Sequence, residues 1–315
     1  MTRVISKIPF LGGIWDGILK QPIVRRYVEE FKLALRYRTL FPDSVRLQNS
    51  LSPIFVDRRD SRGRGVLLCG ANGQPNLKSV WHRAIINIEP DIVFDIGANY
   101  GEFVFGERYP KANRVISVEA NLALAPFLQK SHQQHPDRQK MIMVAALAAE
   151  HSDQDIEFFI DQGSSGRSTA VKRTDTVSVA TRIRTMAMDD LVKDVVLEEM
   201  KVVFKIDVEG FEPVVLSGMR KLIDRSKFFL GILEFNPTLI RLSGVSPDTF
   251  LQELHSKMQI IALPHRQAPQ KLRVGSLAEL ARIEGRDDFE LDLLVSTRTV
   301  AGTSEQKLVD RVIGS

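Results

Sequence analysis

The chain has 315 residues, 43% of them hydrophobic and 26% charged, enough apolar material for one large domain with an appendage or for two modest ones, which excludes a wholly disordered chain. No stretch reaches the roughly 20 uninterrupted apolar residues of a membrane-spanning helix, and a lone cysteine, Cys69, excludes an intrachain disulfide or a cysteine-based metal cluster. The net charge of +4 conceals an asymmetry: residues 1–65 hold 13 Lys and Arg against 6 Asp and Glu, and the remainder holds 30 against 33.

In chain order, the apolar run Ile8–Trp15 is broken by Pro9 and Gly12-Gly13 and is too short for a secretory signal, so a cytoplasmic location is expected. Residues 17–41 are predicted to form a helix. Val24, Tyr27, Val28, Phe31 and Leu35 make one apolar stripe, Arg25, Arg26, Glu29, Glu30, Lys32 and Arg36 take the other face, and Pro42-Asp43 ends it. A basic run, Arg58–Arg64, precedes a predicted strand at Val66–Cys69, and a domain boundary is placed near residue 80. Residues 1–80 are then a basic helical arm and linker. Its charge suits contact with an anionic surface or, more plainly, a solvated face on a docking helix.

From 81 to 298 short apolar runs alternate with helical patterns. The runs are Ile92–Ile96, Arg114–Glu119, Met141–Ala146, Val202–Ile206, Phe229–Glu234, Gln259–Leu263 and Phe289–Ser296. One helix follows Gly210 and another starts at Ser246-Pro247, a serine cap with proline at the first helical position. Such an alternation predicts a mostly parallel α/β sheet covered on both faces. An insertion, residues 150–188, holds further strands (Ile156–Ile160, Val177–Ile183) around the loop Gly163–Ser168, and 299–315 form a tail.

In open α/β sheets ligands bind beyond the carboxyl ends of the strands, at the topological switch point. The first strand ends in Asp95-Ile-Gly-Ala-Asn-Tyr-Gly101-Glu102 and the second in Glu119, an acid placed to accept the hydroxyls of a ribose. A dinucleotide fingerprint requires Gly-x-Gly-x-x-Gly, but Asn99 stands at the second glycine, and Asp95 and Glu102 add negative charge where a pyrophosphate would lie. A nucleoside bearing a cation fits better, and S-adenosylmethionine is one. The fourth strand ends in Lys205-Ile-Asp-Val-Glu-Gly-Phe-Glu212, and the fifth in Glu234-Phe-Asn-Pro237. Carboxylates crowded at a buried strand end repel and are costly to desolvate, so a cation should compensate them: Lys205, a cationic ligand or a metal.

The blocks Asp95-Ile-Gly-Ala-Asn-Tyr-Gly101, Val118-Glu119-Ala-Asn121, Lys205-Ile-Asp-Val-Glu-Gly210 with Glu212, and Leu233-Glu234 resemble the FkbM family of S-adenosylmethionine-dependent methyltransferases, in order and spacing. The resemblance implies a class I methyltransferase (Rossmann-like) fold, with a seven-stranded, mostly parallel sheet whose seventh strand is antiparallel, here carrying an N-terminal basic helical appendage. It implies O-methylation of a sugar or natural-product hydroxyl. Carried over, Asp95 and Gly97 would hold the methionine end of the donor, within the turn that also contains Asn99 and Gly101. Glu119, followed by Ala120, would hold the ribose. Ala145 or Ala146 would lie by the adenine, and Asp207 beside the transferred methyl.

Methyl transfer from a sulfonium needs alignment and removal of the acceptor's proton. Asp207 and Glu209 are the first candidates for the base and Glu234 the third. Metal assistance through Asp207, Glu234 and Asn236 is the alternative to metal-free catalysis, which is expected. The acceptor is expected to be a small molecule or a glycan. A nucleic-acid methyltransferase would need an Asn/Asp-Pro-Pro-aromatic turn, and the chain offers only Asn236-Pro237-Thr238-Leu239. A scaffold that binds the donor without turnover is the other alternative. His132 and His135 are expected at the surface, and His82, His151 and His265 as surface or satisfied residues.

Overall fold

The computed structural model describes residues 22–264, 267–286 and 288–314. The run Ile8–Trp15, the start of the 17–41 helix and His265 lie outside the described residues.

Helix α1 (Pro22–Tyr37) comes first, and β1 (Ser44–Arg46) pairs antiparallel with β2 (Pro53–Phe55). The apolar stripe of α1 faces solvent: Tyr27, Phe31 and Leu35 are 74%, 65% and 65% exposed, and Leu33 is the residue packed into the core. Where a strand was expected at Val66–Cys69 stands the second half of a helix, α2 (Ser61–Cys69). Local chemistry decides this. Asp60 caps the helix by accepting from the Arg62 and Gly63 amides, Gly70 ends it in the left-handed region, and Gly63, Val66 and Leu67 share its buried face. Helix α3 (Pro75–Ile88) runs across residue 80 and buries Trp81 and Ile88.

The alternating part follows with β3 (Ile92–Ile96), β4 (Arg114–Glu119), α4 (Ala125–Gln134) and β5 (Met141–Ala145). The insertion folds as a small sheet of β6 (Leu147–Ala148), β7 (Asp155–Asp161) and β8 (Ser178–Met186), in the order β6-β8-β7. Then come β9 (Lys201–Ile206), α5 (Glu212–Ser217), α6 (Arg220–Arg225), β10 (Phe228–Phe235), α7 (Pro237–Leu242) and α8 (Pro247–Lys257). The last elements are β11 (Gln259–Leu263), β12 (Gln270–Lys271), α9 (Leu277–Glu284), β13 (Leu291–Ser296) and α10 (Ser304–Ile313), a helix within the expected tail.

The main sheet has the order β12-β11-β13-β10-β9-β3-β4-β5. Strands β5, β4, β3, β9 and β10 are mutually parallel, and β13 is antiparallel to both β10 and β11. This is the class I methyltransferase arrangement, with the two-residue β12 as an eighth, edge strand. Side chains alternate across it. Val93 and Val203 join one hydrophobic cluster with Trp81 of α3 and Val312 of α10, and Phe94 and Phe204 join the opposite one with Val215 of α5 and Leu251 of α8. Ile54 and Leu67, from β2 and α2, belong to the first cluster, so residues before 80 help to cover that face. The chain leaves β3 towards β4 on one side and reaches β9 on the other, which puts the switch point between β3 and β9. No helix among the described residues is long and apolar enough to cross a membrane.

Candidate active site

A cavity of about 270 Å³ opens at that switch point, between the carboxyl ends of β3, β4, β9 and β10 and the loop after β7. Of the residues singled out in the sequence, Gly97, Asn99, Glu119, Ala120, Ala146, Asp207, Glu209 and Glu234 line it, and Asp95, Gly101 and Ala145 do not.

The first turn is built by backbone contacts. Gly97 has φ 77°, and a Cβ there would lie 1.9 Å from the Asp207 carbonyl oxygen, so the ends of β3 and β9 can approach only through glycine. Asp95 sits inside the sheet at 1% exposure. Its Oδ2 accepts the Val104 amide at 3.0 Å, Oδ1 has no partner, and it lies in register with Lys205. Burial raises its pKa to about 6 against the pull of Lys205. The position suits bracing the 101–106 turn and sharing the Lys205 charge. At Gly101 an added Cβ would lie 2.3 Å from the Phe105 ring, so this glycine serves the turn. Ala145 lines a second cavity, of about 350 Å³, with Asn121 and His132.

Glu119 is positioned by two amides: Oε2 accepts Asn99 N–H and Oε1 accepts Asn121 N–H, each at 2.7 Å. Burial raises its pKa to about 7 despite these bonds. Ala120 and Ala146, with Phe158 of β7, form apolar lining beyond it.

At β9, Lys205 is 3% exposed, and its Nζ donates to Asp207 Oδ2 at 2.7 Å and lies 4.8 Å from the Phe103 ring centre. Burial works against its charge, but Asp207 and Asp95 outweigh it and raise its pKa. Burial likewise works against an ionised Asp207. The Lys205 and Arg62 charges prevail and hold its carboxyl below the usual range. Glu209 behaves in the opposite way: burial first, then the charges of Asp207 and Glu290, raise it to about 8 against the opposing Arg173, 3.3 Å away. Burial and the same neighbouring acids push Glu234 well above the usual range, and its Oε2 has no partner. Carboxylate oxygens of Asp207, Glu209 and Glu234 all lie within 4.8 Å of one another. Glu212 is separate from them: its Oε1 accepts the Val208 and Gly210 amides at 3.1 Å each, bracing the 207–210 turn.

The structure also places at the cavity residues that the sequence reading did not assign: Arg62, Gln74, Glu102, Phe103, Phe158 and Glu290. Arg62 lay within the basic run already noted, but nothing local tied it to the β3 turn. The loop Gly163–Ser168 had been noted and contributes Ser164 to Ser168 to the lining. The histidines stand apart. His82 pairs with Glu107 at 2.7 Å, and His135, expected at the surface, is fully buried with its Nε2 donating to the Glu107 carbonyl at 2.9 Å.

Two solved structures are similar to the chain at low identity. The O-methyltransferase TomG of Streptomyces achromogenes, involved in tomaymycin synthesis and solved with S-adenosylmethionine, is 9% identical over 78% of this chain and 92% of its own, with a TM-score of 0.38. An O-methyltransferase of Bacillus cereus, solved with S-adenosylhomocysteine, is 12% identical over 71% of this chain and 82% of its own, with a TM-score of 0.37. No curated protein matches the chain. The model of the methyltransferase FkbM domain matches residues 95–258, just over half of the chain, and spans the β3 turn, Glu119 and the acids of β9 and β10. The chain belongs to the FkbM family of methyltransferases, whose methyl donor is S-adenosylmethionine.

Proposed function

We propose that the chain O-methylates a hydroxyl of a sugar, glycan or natural product, with Glu209 as the base. One observation carries this reading: at a single cavity Asp207 is held ionised by Lys205, while its neighbour Glu209 keeps its proton up to about 8. A base works best when its pKa lies near the working pH, and Glu209 meets that condition where Asp207 does not.

The donor fits the cavity's chemistry. Each Glu119 oxygen accepts one amide, and a carboxylate has about four lone-pair sites, which leaves two for the ribose hydroxyls. Bound S-adenosylmethionine supplies a methyl group already activated on a sulfonium. The chain's residues do the rest. Asp207 provides negative charge for a cationic ligand, and Glu234 a carboxyl whose ionised form such a ligand would favour. Thr169 Oγ1 donates to the Glu209 carbonyl at 2.8 Å and fixes that residue in its left-handed conformation, φ 56°. Glu209 would take the proton of the acceptor hydroxyl as that oxygen receives the methyl group.

Metal-free chemistry is part of the proposal. The alternative expected from the sequence uses Asn236, whose Oδ1 accepts the Thr238 and Leu239 amides as cap of α7 and whose Nδ2 donates to Glu290. Lys205 and Arg173 already supply cations to Asp207 and Glu209. The capping role of Asn236 also speaks against Asn-Pro-Thr-Leu as a grip for a flipped base. The test is labelled S-adenosylmethionine with host extract: label in a glycan, lipid or small-molecule fraction supports the reading, and label in nucleic acid overturns it.

The arm adds a contact with an anionic surface. Glu29 and Glu30 of α1 pair with Arg64 and Arg58 at 3.5 Å each, whereas the exposed residues are Tyr27, Phe31 and Leu35 with Arg26, Lys32 and Arg36. An apolar stripe flanked by cations suits the surface of an anionic bilayer.

A further inference from the structure

We infer that Arg62, from the N-terminal arm and outside the family-matched residues 95–258, is the receptor for the carboxylate of the donor's methionyl group. This rests on the donor assignment above and names the residue that completes the donor's charge complement.

S-adenosylmethionine carries two positive groups, the ammonium and the sulfonium, and one negative group, the carboxylate. The cavity is rich in acids for the first two, so the third selects among its few cations. Lys205 is committed to Asp207 and 3% exposed. Arg167 is held by the buried Asp161 at 3.0 Å. Arg62 pairs with Glu102, but Glu102 is 4% exposed and also bound to Lys78 Nζ at 2.9 Å. Two cations on one buried acid leave a net positive charge, and Arg62, 35% exposed, presents it to the cavity. Its charge helps to hold Asp207 ionised. Glu102 belongs to the turn that follows β3, so the ion pair sets the guanidinium at that turn. A guanidinium also offers five donors in a planar fork suited to a carboxylate.

Asp60 ties the arm to the turn and the loop at this point. Asp60, the cap of α2, accepts Tyr100 Oη at 2.8 Å, the Ser165 amide at 3.0 Å and Ser165 Oγ at 2.6 Å. Three segments thus meet on one carboxylate beside Arg62. A Cβ on Gly166 would lie 3.3 Å from the Arg62 Cδ, so this glycine permits the close seating of the loop on the arm, and one on Gly63 would lie 2.2 Å from the Asp57 carbonyl oxygen, so Gly63 permits the tight turn within the arm. Arg62 is therefore presented by a built wall.

The test is calorimetric titration of the full chain and of Arg62→Ala and Arg62→Lys with S-adenosylhomocysteine and with its decarboxylated analogue, which keeps the ammonium and lacks the carboxylate. The wild type should prefer S-adenosylhomocysteine. Arg62→Ala should weaken that ligand by roughly 10- to 150-fold, the scale of hydrogen bonds to charged groups, and change the analogue less than about 3-fold. Arg62→Lys, which keeps the charge without the fork, should fall between. Equal losses for both ligands, or no loss for either, would overturn the Arg62 assignment and leave the donor intact. A wild type that binds neither ligand would overturn the donor assignment and this inference with it.

Discussion

Glu209 offers the most direct test of the site, because its titration can be followed without knowing the acceptor. Burial and the Asp207 and Glu290 charges raise its pKa to about 8. At pH 7 only about a tenth of the molecules then carry an ionised Glu209, and the fraction grows roughly tenfold by pH 9. With Glu209 as base, kcat/KM for the donor, which reports the donor-free protein, should rise through pH 8. Asp207→Asn removes the charge that ranks second among the causes. Two carboxylate oxygens no more than 4.8 Å apart interact by about 3–4 kcal/mol at an effective dielectric of 20, which is roughly 2–3 pKa units, so the Glu209 midpoint should move down to about 6 or below. Arg173→Ala removes the opposing cation and should move it up. Carbon-13 carboxyl NMR of glutamate-labelled protein, with Glu209→Gln to assign the resonance, reads these midpoints directly. A wild-type midpoint near 4.5, or one unmoved by Asp207→Asn, would refute the electrostatic reasoning and remove Glu209 as the base.

Glu119→Ala should weaken S-adenosylhomocysteine binding by about 1.5–3 kcal/mol, the scale of a hydrogen bond to a charged group; an unchanged affinity in calorimetry would place the ribose elsewhere. Once the acceptor is in hand, turnover should survive exhaustive chelation and fall at least ~100-fold in Glu209→Gln; turnover lost to chelation and restored by magnesium alone would make Asp207, Glu209 and Glu234 ligands. Folded Glu209 keeps its proton from about 4.5 up to about 8 while the unfolded residue has released it, so its contribution to stability is full below about 4.5 and is lost as pH rises through 8. Glu209→Gln should accordingly raise Tm more at pH 8 than at pH 5, and a gain equal at both would contradict the shift. The chain should co-sediment with vesicles rich in phosphatidylglycerol at low salt, less so at high salt, and Tyr27→Ser with Phe31→Ser and Leu35→Ser should abolish it; binding unaffected by these changes would remove α1 as the contact.

What was legible in the sequence was what is local. Buried parallel strands are continuous apolar runs, so β3, β4, β9, β10 and β11 were found within a residue or two. The chemistry at their carboxyl ends, Glu119 and the β9 acids, followed from the switch-point rule. Val66–Cys69 was misread because four apolar residues in a row look alike in a strand and in a buried helix turn, and the deciding groups, the Asp60 cap and Gly70, flank the run. The stripe of α1 has helical spacing whichever way it faces, and only the burial of Leu33 shows that it faces out. The resemblance assigned Asp95 to the methionine end of the donor; in the sheet it stands in register with Lys205 and outside the cavity lining, a pairing between strands that sequence order does not display. Arg62 was out of reach for a different reason: it is brought to the cavity by Asp60, which bonds to Ser165 across 105 positions.

The same geometry explains why so many acids can stand together. Lys205 and Asp207 are two residues apart on one strand and therefore share a side of the sheet, with Asp95 next to Lys205 in register. One buried cation among these acids stabilises ionisation at Asp207 first, because Asp207 Oδ2 receives the hydrogen bond. Glu209 and Glu234 are then left to share the space in neutral form. A cation arriving in the cavity changes that balance: it favours ionised carboxylates, and by linkage ionised carboxylates favour the cation by the same factor. The protonated acids are thus set to release protons when a cationic ligand binds. Glu209 becomes competent to accept a hydroxyl proton at the moment the methyl donor is in place, and without the donor it remains protonated, which spares the fold the cost of several buried, uncompensated charges.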